Sequence, residues 1–168
     1  MRVLLSKGNS HQTVGIIFPF LPQHAERFFN EGKTVFVKFF GKERIPLRLQ
    51  PGSRLFLYES RRNKEIVGEA RITRIDTLRA SDILSVFDDC LFLTRSEFED
   101  YVGNRSDKKM LVLALEDAKR YPIPLRLSKS VTMAGRYMTR EMYKQIRGES
   151  KKSMNSKAEE GKRATQFP

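Results

Sequence analysis

The sequence predicts an α+β fold: a small, mostly antiparallel β-barrel with short peripheral helices. Three observations carry that expectation. Six or seven short runs of β-branched and aromatic residues recur between turns marked by Gly, Pro and Ser. The helical patterns between them are short, and no Gly-rich phosphate loop opens any of them, which excludes a doubly wound α/β sheet. Gly68 and Ala70 fall on the apolar face of the clearest strand, where small residues admit another element at close range.

Taken in order, Thr13–Phe18 is apolar and β-branched and reads as a buried strand. Leu21-Pro22 opens a helix with proline at a tolerated first-turn position; Ala25, Phe28 and Phe29 share its apolar face, and Gly32 ends it. Thr34–Phe40 is the next strand. Arg44–Leu49 is a third extended piece, closed by the turn Gln50-Pro51-Gly52-Ser53. Arg54–Glu59 and Glu65–Ile75 flank the polar turn 60–64 as a hairpin. On its return strand Ile66, Gly68, Ala70 and Ile72 alternate with Val67, Glu69, Arg71 and Thr73.

Ser81 caps a short helix that reaches Phe87. Thr94 or Ser96 starts another, because each has a glutamate three residues on, Glu97 or Glu99. Met110–Leu115 is an unbroken apolar run and the best central strand, while prolines hold Pro122–Leu127 extended. Thr139 caps a last helix, Arg140–Arg147, that Gly148 stops. The pentapeptide Ile-Pro-Leu-Arg-Leu occurs at 45–49 and 123–127. Nothing around the copies matches, so it reads as a chance likeness of two edge strands.

The 168 residues divide into a domain over 1–147 and a disordered basic tail over 148–168. The tail is rich in Lys, Ser, Glu and Gly, and Met154 and Phe167 are its only large apolar residues, too few to offset chain entropy. The net charge is +12, and the excess lies mainly in 1–147. Such a surface favours polyanionic partners, nucleic acid before an anionic membrane. No apolar run approaches the roughly 20 residues that span a bilayer, and Met1–Gly8 turns polar too soon for a signal peptide. The one cysteine, Cys90, forms no internal disulfide, and a cytoplasmic location is expected. One Cys and two His cannot supply a zinc set, and neither His11 nor His24 stands near a nucleophile motif; no metal and no cofactor are expected.

The cations carry the functional expectation. Lys33 and Lys38 bracket a strand, Arg61, Arg62 and Lys64 crown the hairpin, and Arg71 follows on its return strand, all in reach of phosphates. A second group, Arg126, Lys129, Arg136, Arg140, Lys144 and Arg147, is interleaved with Tyr137 and Tyr143, so that cations would hold backbone while rings stack bases. In a small barrel Lys33, Lys38, Arg61, Arg62 and Arg71 are expected on one face. Arg136 and Arg140 would join them if the last helix crosses the mouth, and Tyr58 or Tyr137 would wall the cleft.

The order of Asn30–Lys38, then Leu47–Tyr58, then Ile66–Ile72 resembles the PUA-like superfamily, in particular its ASCH branch. There a helix leads to a Gly/Lys-containing strand, a Pro-Gly turn opens another, and a Val-Gly-Glu-Ala-type strand follows. Residues 1–147 as a whole resemble an uncharacterised archaeal family of that fold, Tyr121–Leu125 and the helix at Thr139–Arg147 included. The resemblance implies a PUA-like barrel and an association with RNA or modified bases. In the motif Gly-x-Lys-x-x-Glu-x-Arg, Lys33 stands at the lysine, Gly32 is displaced by one, Phe36 takes the glutamate position and Lys38 the arginine. Hydrolytic members use the lysine with nearby hydroxyl and carboxylate groups, which implies Lys33 and Glu69 as catalytic candidates, Glu69 as general acid/base. With Phe36 in place of the carboxylate, binding rather than catalysis is expected. The expected function is a nucleic-acid-binding module, for RNA, using a basic cleft with aromatic stacking. The alternatives are an ASCH-type hydrolase of a nucleoside or RNA, and an adaptor in a ribonucleoprotein assembly that meets a protein partner through 148–168.

Overall fold

The computed structural model describes residues 12–40, 48–61 and 63–164. The chain runs β1 (Thr13–Phe20), α1 (Pro22–Asn30), β2 (Val35–Phe39), β3 (Arg54–Glu59), β4 (Glu65–Arg79), α2 (Ala80–Phe87), α3 (Arg95–Val102), β5 (Lys109–Arg126), β6 (Arg136–Thr139) and α4 (Arg140–Ala164). The strands form one sheet in the order β2-β5-β4-β3-β1-β6.

The class is α+β, but the expected barrel is corrected on two counts. The sheet has two ends, β2 and β6, and is not hydrogen-bonded into a closed ring. It is also mixed, because β1 runs parallel to β3 while every other pair is antiparallel. The parallel pair follows from the crossover through α1 and β2, which returns the chain in its starting direction.

Several local expectations hold for the reasons given. Pro22 occupies the first turn of α1, and Gly32, at φ +66°, follows its C-cap Glu31. The hairpin β3–β4 is present. Of the two capping boxes, Thr94 with Glu97 forms: the Glu97 amide donates to Thr94 Oγ1 at 3.2 Å, and the Thr94 amide to Glu97 Oε2 at 2.9 Å. Gly68 admits α1, since a Cβ there would collide with the Phe29 ring and the Lys119 carbonyl.

Other expectations are corrected. The two pieces 110–115 and 122–127 are one long strand, β5, which the β4 partner tracks with three register shifts. The shift between Ile66 and Gly68 also breaks the alternation expected along β4: Ile66 turns to one core, and Val67 joins Ala70 and Ile72 in the other. The helix α2 starts at Ala80, without a side-chain cap from Ser81. The last helix runs through Gly148 to Ala164. Gly148 does not take the positive φ of a helix stop, and its propensity cost of about 1 kcal/mol is spread over flanks of strong helix formers. The piece 44–49 lies mostly outside the described residues.

Two cores result, one on each side of the sheet. On one side α1, α2 and α3 cover Phe18, Leu55, Leu57, Ala70, Ile72 and Leu113. On the other, α4 covers Ile17, Phe56, Tyr58, Tyr121 and Met138 and contributes Ile146. The α4 side chains Lys151, Lys152 and 154–160 are exposed beyond the body. No helix among the described residues is long and apolar enough to cross a membrane.

Candidate nucleic-acid interface

The seam between β1 and β2 holds the largest convergence of rings and polar groups. The sheet curls until Phe18 of β1 stacks on Phe36 of β2, centroids 5.3 Å apart. Phe92 reaches the same place because its segment adds to β2: the Phe92 amide donates to the Val35 carbonyl at 3.0 Å. Its ring lies 5.2 Å from Phe36 and stacks on Phe28 at 5.5 Å. Phe20 completes the cluster, 5.3 Å from Phe36. Phe18, Phe20, Phe36 and Phe92 floor a cleft of about 510 Å³, whose rim includes His24, Lys38, Arg61, Tyr101 and the exposed Met133.

The rim is held in place by a long-range ion pair. Arg27 of α1 grips Glu97 of α3 through two N–H···O bonds of 2.5 and 3.1 Å, and also donates to the Phe92 carbonyl at 2.9 Å. This guanidinium, with the Thr94 amide, holds the Glu97 carboxyl down at about 2. His24 Nε2 lies 3.6 Å from Glu97 Oε1. Burial pushes the imidazole below its ordinary 6.5 despite that carboxylate, so His24 is neutral at pH 7. The Tyr101 hydroxyl accepts from the Phe39 amide at 3.2 Å, which leaves its own proton to donate.

Lys38 is the key cation. It is half-buried, its Nζ stands 5.1 Å from the Phe18 ring centroid, and burial drives its pKa below 10.5. Among the described residues no carboxylate pairs with it. A desolvated ammonium over a ring, without a counter-ion, favours an anion or a lone pair brought by a ligand.

Other expected site residues scatter. Arg61 shares the cleft with Lys38. Arg136 and Tyr137 line a second cavity of about 160 Å³, which also touches Lys38 and Phe18. Lys33 is turned away, donating from Nζ to the Asp89 carbonyl at 2.7 Å. Lys64 is exposed in the hairpin turn at φ 55°, and Arg140 is exposed at the start of α4; neither lines either cavity. Arg71 lies opposite Arg54 in the β3–β4 register, on the α4 side, paired to Glu116 and Asp117. The expected single cationic face therefore does not form, because Arg71 belongs to the other side of the sheet. Tyr58 is buried among the residues under α4 and lines neither cavity, so it offers no ring to a base. Arg62 lies outside the described residues.

Glu69 is buried beneath α4 and apart from the cleft. It accepts from Tyr121 Oη at 2.5 Å and from Tyr143 Oη at 3.4 Å, with Lys119 Nζ at 3.3 Å and Arg54 Nη1 at 3.6 Å. Burial first, then the Glu69 charge, pushes the Tyr121 phenol well above its ordinary value. Lys33 is not among the partners of Glu69, so the two catalytic candidates are not brought together. The sequence reading missed Phe18, Phe20, Phe92, His24 and Tyr101. Their signal was the density of phenylalanine, twelve in a chain without tryptophan, but which rings would meet depends on how the sheet curls.

Comparison with known proteins places this geometry. Crystal structures of ASCH from Zymomonas mobilis and of a single-residue variant superpose with TM-scores of 0.67 and 0.68. They cover 80% of this chain each, and 94% and 97% of their own, at 19% and 18% identity, a likeness of fold. An uncharacterised protein of Methanocaldococcus jannaschii is 26% identical over 103 residues, 55% of this chain and 95% of that protein. The family model described as "Domain of unknown function (DUF365)" matches residues 13–140, the whole span from β1 to the first residue of α4, and on that match the chain belongs to the DUF365 family, built on an ASCH-like fold.

Proposed function

We propose that the protein is an RNA-binding module that takes a base into the ring-floored cleft between β1 and β2. The observation that carries this reading is Lys38: a half-buried amine above Phe18, with no carboxylate partner among the described residues, at a cleft whose rim also carries the donors Arg61 and Tyr101. Cations hold phosphate and ring edges exclude water from the base, the division of labour that single-strand binders use. The +12 net charge adds non-specific attraction. The cleft supports binding better than hydrolysis, since Lys33 is engaged by the Asp89 carbonyl and Glu69 is enclosed by Tyr121 and Tyr143 on the α4 side. The test is titration with fluorescent RNA oligonucleotides at low and high salt, for the native protein and Lys38→Ala. Binding that weakens about tenfold in the variant supports the reading, a loss of the size one charge-assisted contact carries. No binding at low salt, or an affinity unchanged by Lys38→Ala, overturns it.

A further inference from the structure

The two cavities meet at one residue pair. Phe18 and Lys38 line both, with Nζ 5.1 Å from the ring centroid. A single turn spans the pair: the Gly135 amide donates to the Thr132 carbonyl at 2.9 Å, Met133 borders the larger cavity, and Ala134 and Gly135 border the smaller. That turn is pinned to the wall itself. Gly135 has φ +79°, and a Cβ on it would strike the Phe18 ring and crowd the Ile17 carbonyl. The smaller cavity has its own ring, Tyr137, which is partly exposed and has the Arg48 guanidinium 5.5 Å from its centroid.

Arg61 borders the larger cavity, Lys38 the shared wall, and Arg136 the smaller cavity. Two adjoining ring-bearing cavities, each with a cation of its own and one shared, fit a chain that repeats base and phosphate. Resting on the base-in-cleft reading above, we infer that the ligand is a single-stranded polynucleotide gripped over two consecutive nucleotides, one base on each side of the Phe18–Lys38 wall. A duplex cannot present two bases this way, because both are stacked and paired. Ribo- and deoxyribo-oligonucleotides share the base-and-phosphate chemistry required here, and separate arms distinguish them.

The test measures affinity of the full chain for uridine monophosphate, the 5′-phosphorylated dinucleotide of uridine, a uridine decamer, its deoxy counterpart and an RNA hairpin duplex. The dinucleotide is expected to bind about tenfold more tightly than the mononucleotide, the size of one added base–ring stack. Tyr137→Ala should erase that advantage and leave mononucleotide affinity unchanged. Because Tyr137 is partly packed, the exposed Arg136→Ala is the second variant, expected to weaken dinucleotide and decamer about threefold with an unaltered melting temperature. Equal affinity for mono- and dinucleotide, a Tyr137→Ala loss shared by both, or duplex binding as tight as single-strand binding overturns the two-nucleotide grip and leaves the base-in-cleft reading standing. Failure of every oligonucleotide to bind overturns both.

Discussion

Phe18 and Phe36 stack with centroids 5.3 Å apart and planes inclined by 26°, although their strands stand fifth and first in the sheet order. No backbone hydrogen bond joins β1 to β2. The contact is made by side chains, and it holds the curled sheet together where the ladder does not close. Truncating a ring there removes both buried area and the brace. Phe36→Ala should cost about 3–5 kcal/mol, the usual loss for a buried aromatic, read as a lowered urea midpoint with an unchanged slope.

Lys38 opposes stability in the place where it serves binding. Its charge is desolvated, and among the described residues no carboxylate compensates it. A group whose folded pKa lies below its ordinary value destabilises the fold while protonated, and the penalty fades as pH rises through that lowered pKa. Lys38→Met should therefore stabilise the protein at pH 7, by about 0.5–2 kcal/mol, while weakening RNA binding about tenfold. Thermal melts of the two proteins at pH 7 and pH 10 check this: the gap should narrow at the higher pH.

Glu97 works in the opposite sense. Its folded carboxyl titrates at about 2 against an ordinary 4.5. The stabilisation is fully present above 4.5 and is lost as pH falls through about 2. Glu97→Gln should lower the urea midpoint at pH 6, and the difference from the native protein should shrink steadily as pH falls from 4.5 towards 2. A difference independent of pH over that window would mean the Arg27 pair contributes nothing to folding.

Glu69 anchors α4. Two of its partners, Tyr143 and Arg147, belong to that helix, and Tyr143 Oη also accepts from Arg54 at 2.7 Å. Glu69→Ala should cost about 2–4 kcal/mol, less than a fully buried pair because Arg54, Lys119 and Arg147 remain partly in water. Tyr121→Phe should cost about 1–3 kcal/mol, leaving the carboxylate short of a donor. Amide exchange in 140–147 should accelerate in both variants more than exchange in α1.

The salt dependence of RNA binding separates cations that face the seam from those that do not. Arg61→Ala should reduce the slope of log K against log salt by about 0.7, one single-strand phosphate contact. Arg71→Ala, on the α4 side and already paired to Glu116 and Asp117, should leave the slope unchanged.

Local chemistry was the legible part of this fold. Pro22, Gly32, the Thr94–Glu97 box and the β3–β4 hairpin depend on neighbours in sequence, and they appear where the residues place them. Gly68 disclosed the approach of α1 for the same reason. The rest depends on distant partners. Whether β1 pairs parallel or antiparallel to β3 is decided by the crossover, not by Thr13–Phe20 itself. One shifted pair between Ile66 and Gly68 was enough to exchange the sides of Ile66 and Val67. β6, four residues long, carries too little pattern to be seen before its partner is known. At the site, Lys38 and Arg61 could be chosen by charge, but Arg71 could not be set aside until the sheet had two sides. The rings of Phe18, Phe36 and Phe92 come from three segments that only the curl of the sheet unites.

β1 is held between β3 and β6, with Thr13 paired to Thr139 and Ile16 to Tyr137. The first strand of the sheet thus waits for the last. As the chain leaves the ribosome, β1 through β5 can assemble while one edge of β1 stays unpaired, and only the arrival of 136–139 covers it. Contacts of such long sequence separation slow folding, and the uncovered edge offers a template to another nascent chain. The same late segment brings Arg136, Tyr137 and the Gly135 turn to the seam. Synthesis stalled before residue 136 would leave a body with most of its core, no finished groove, and a tendency to associate through β1.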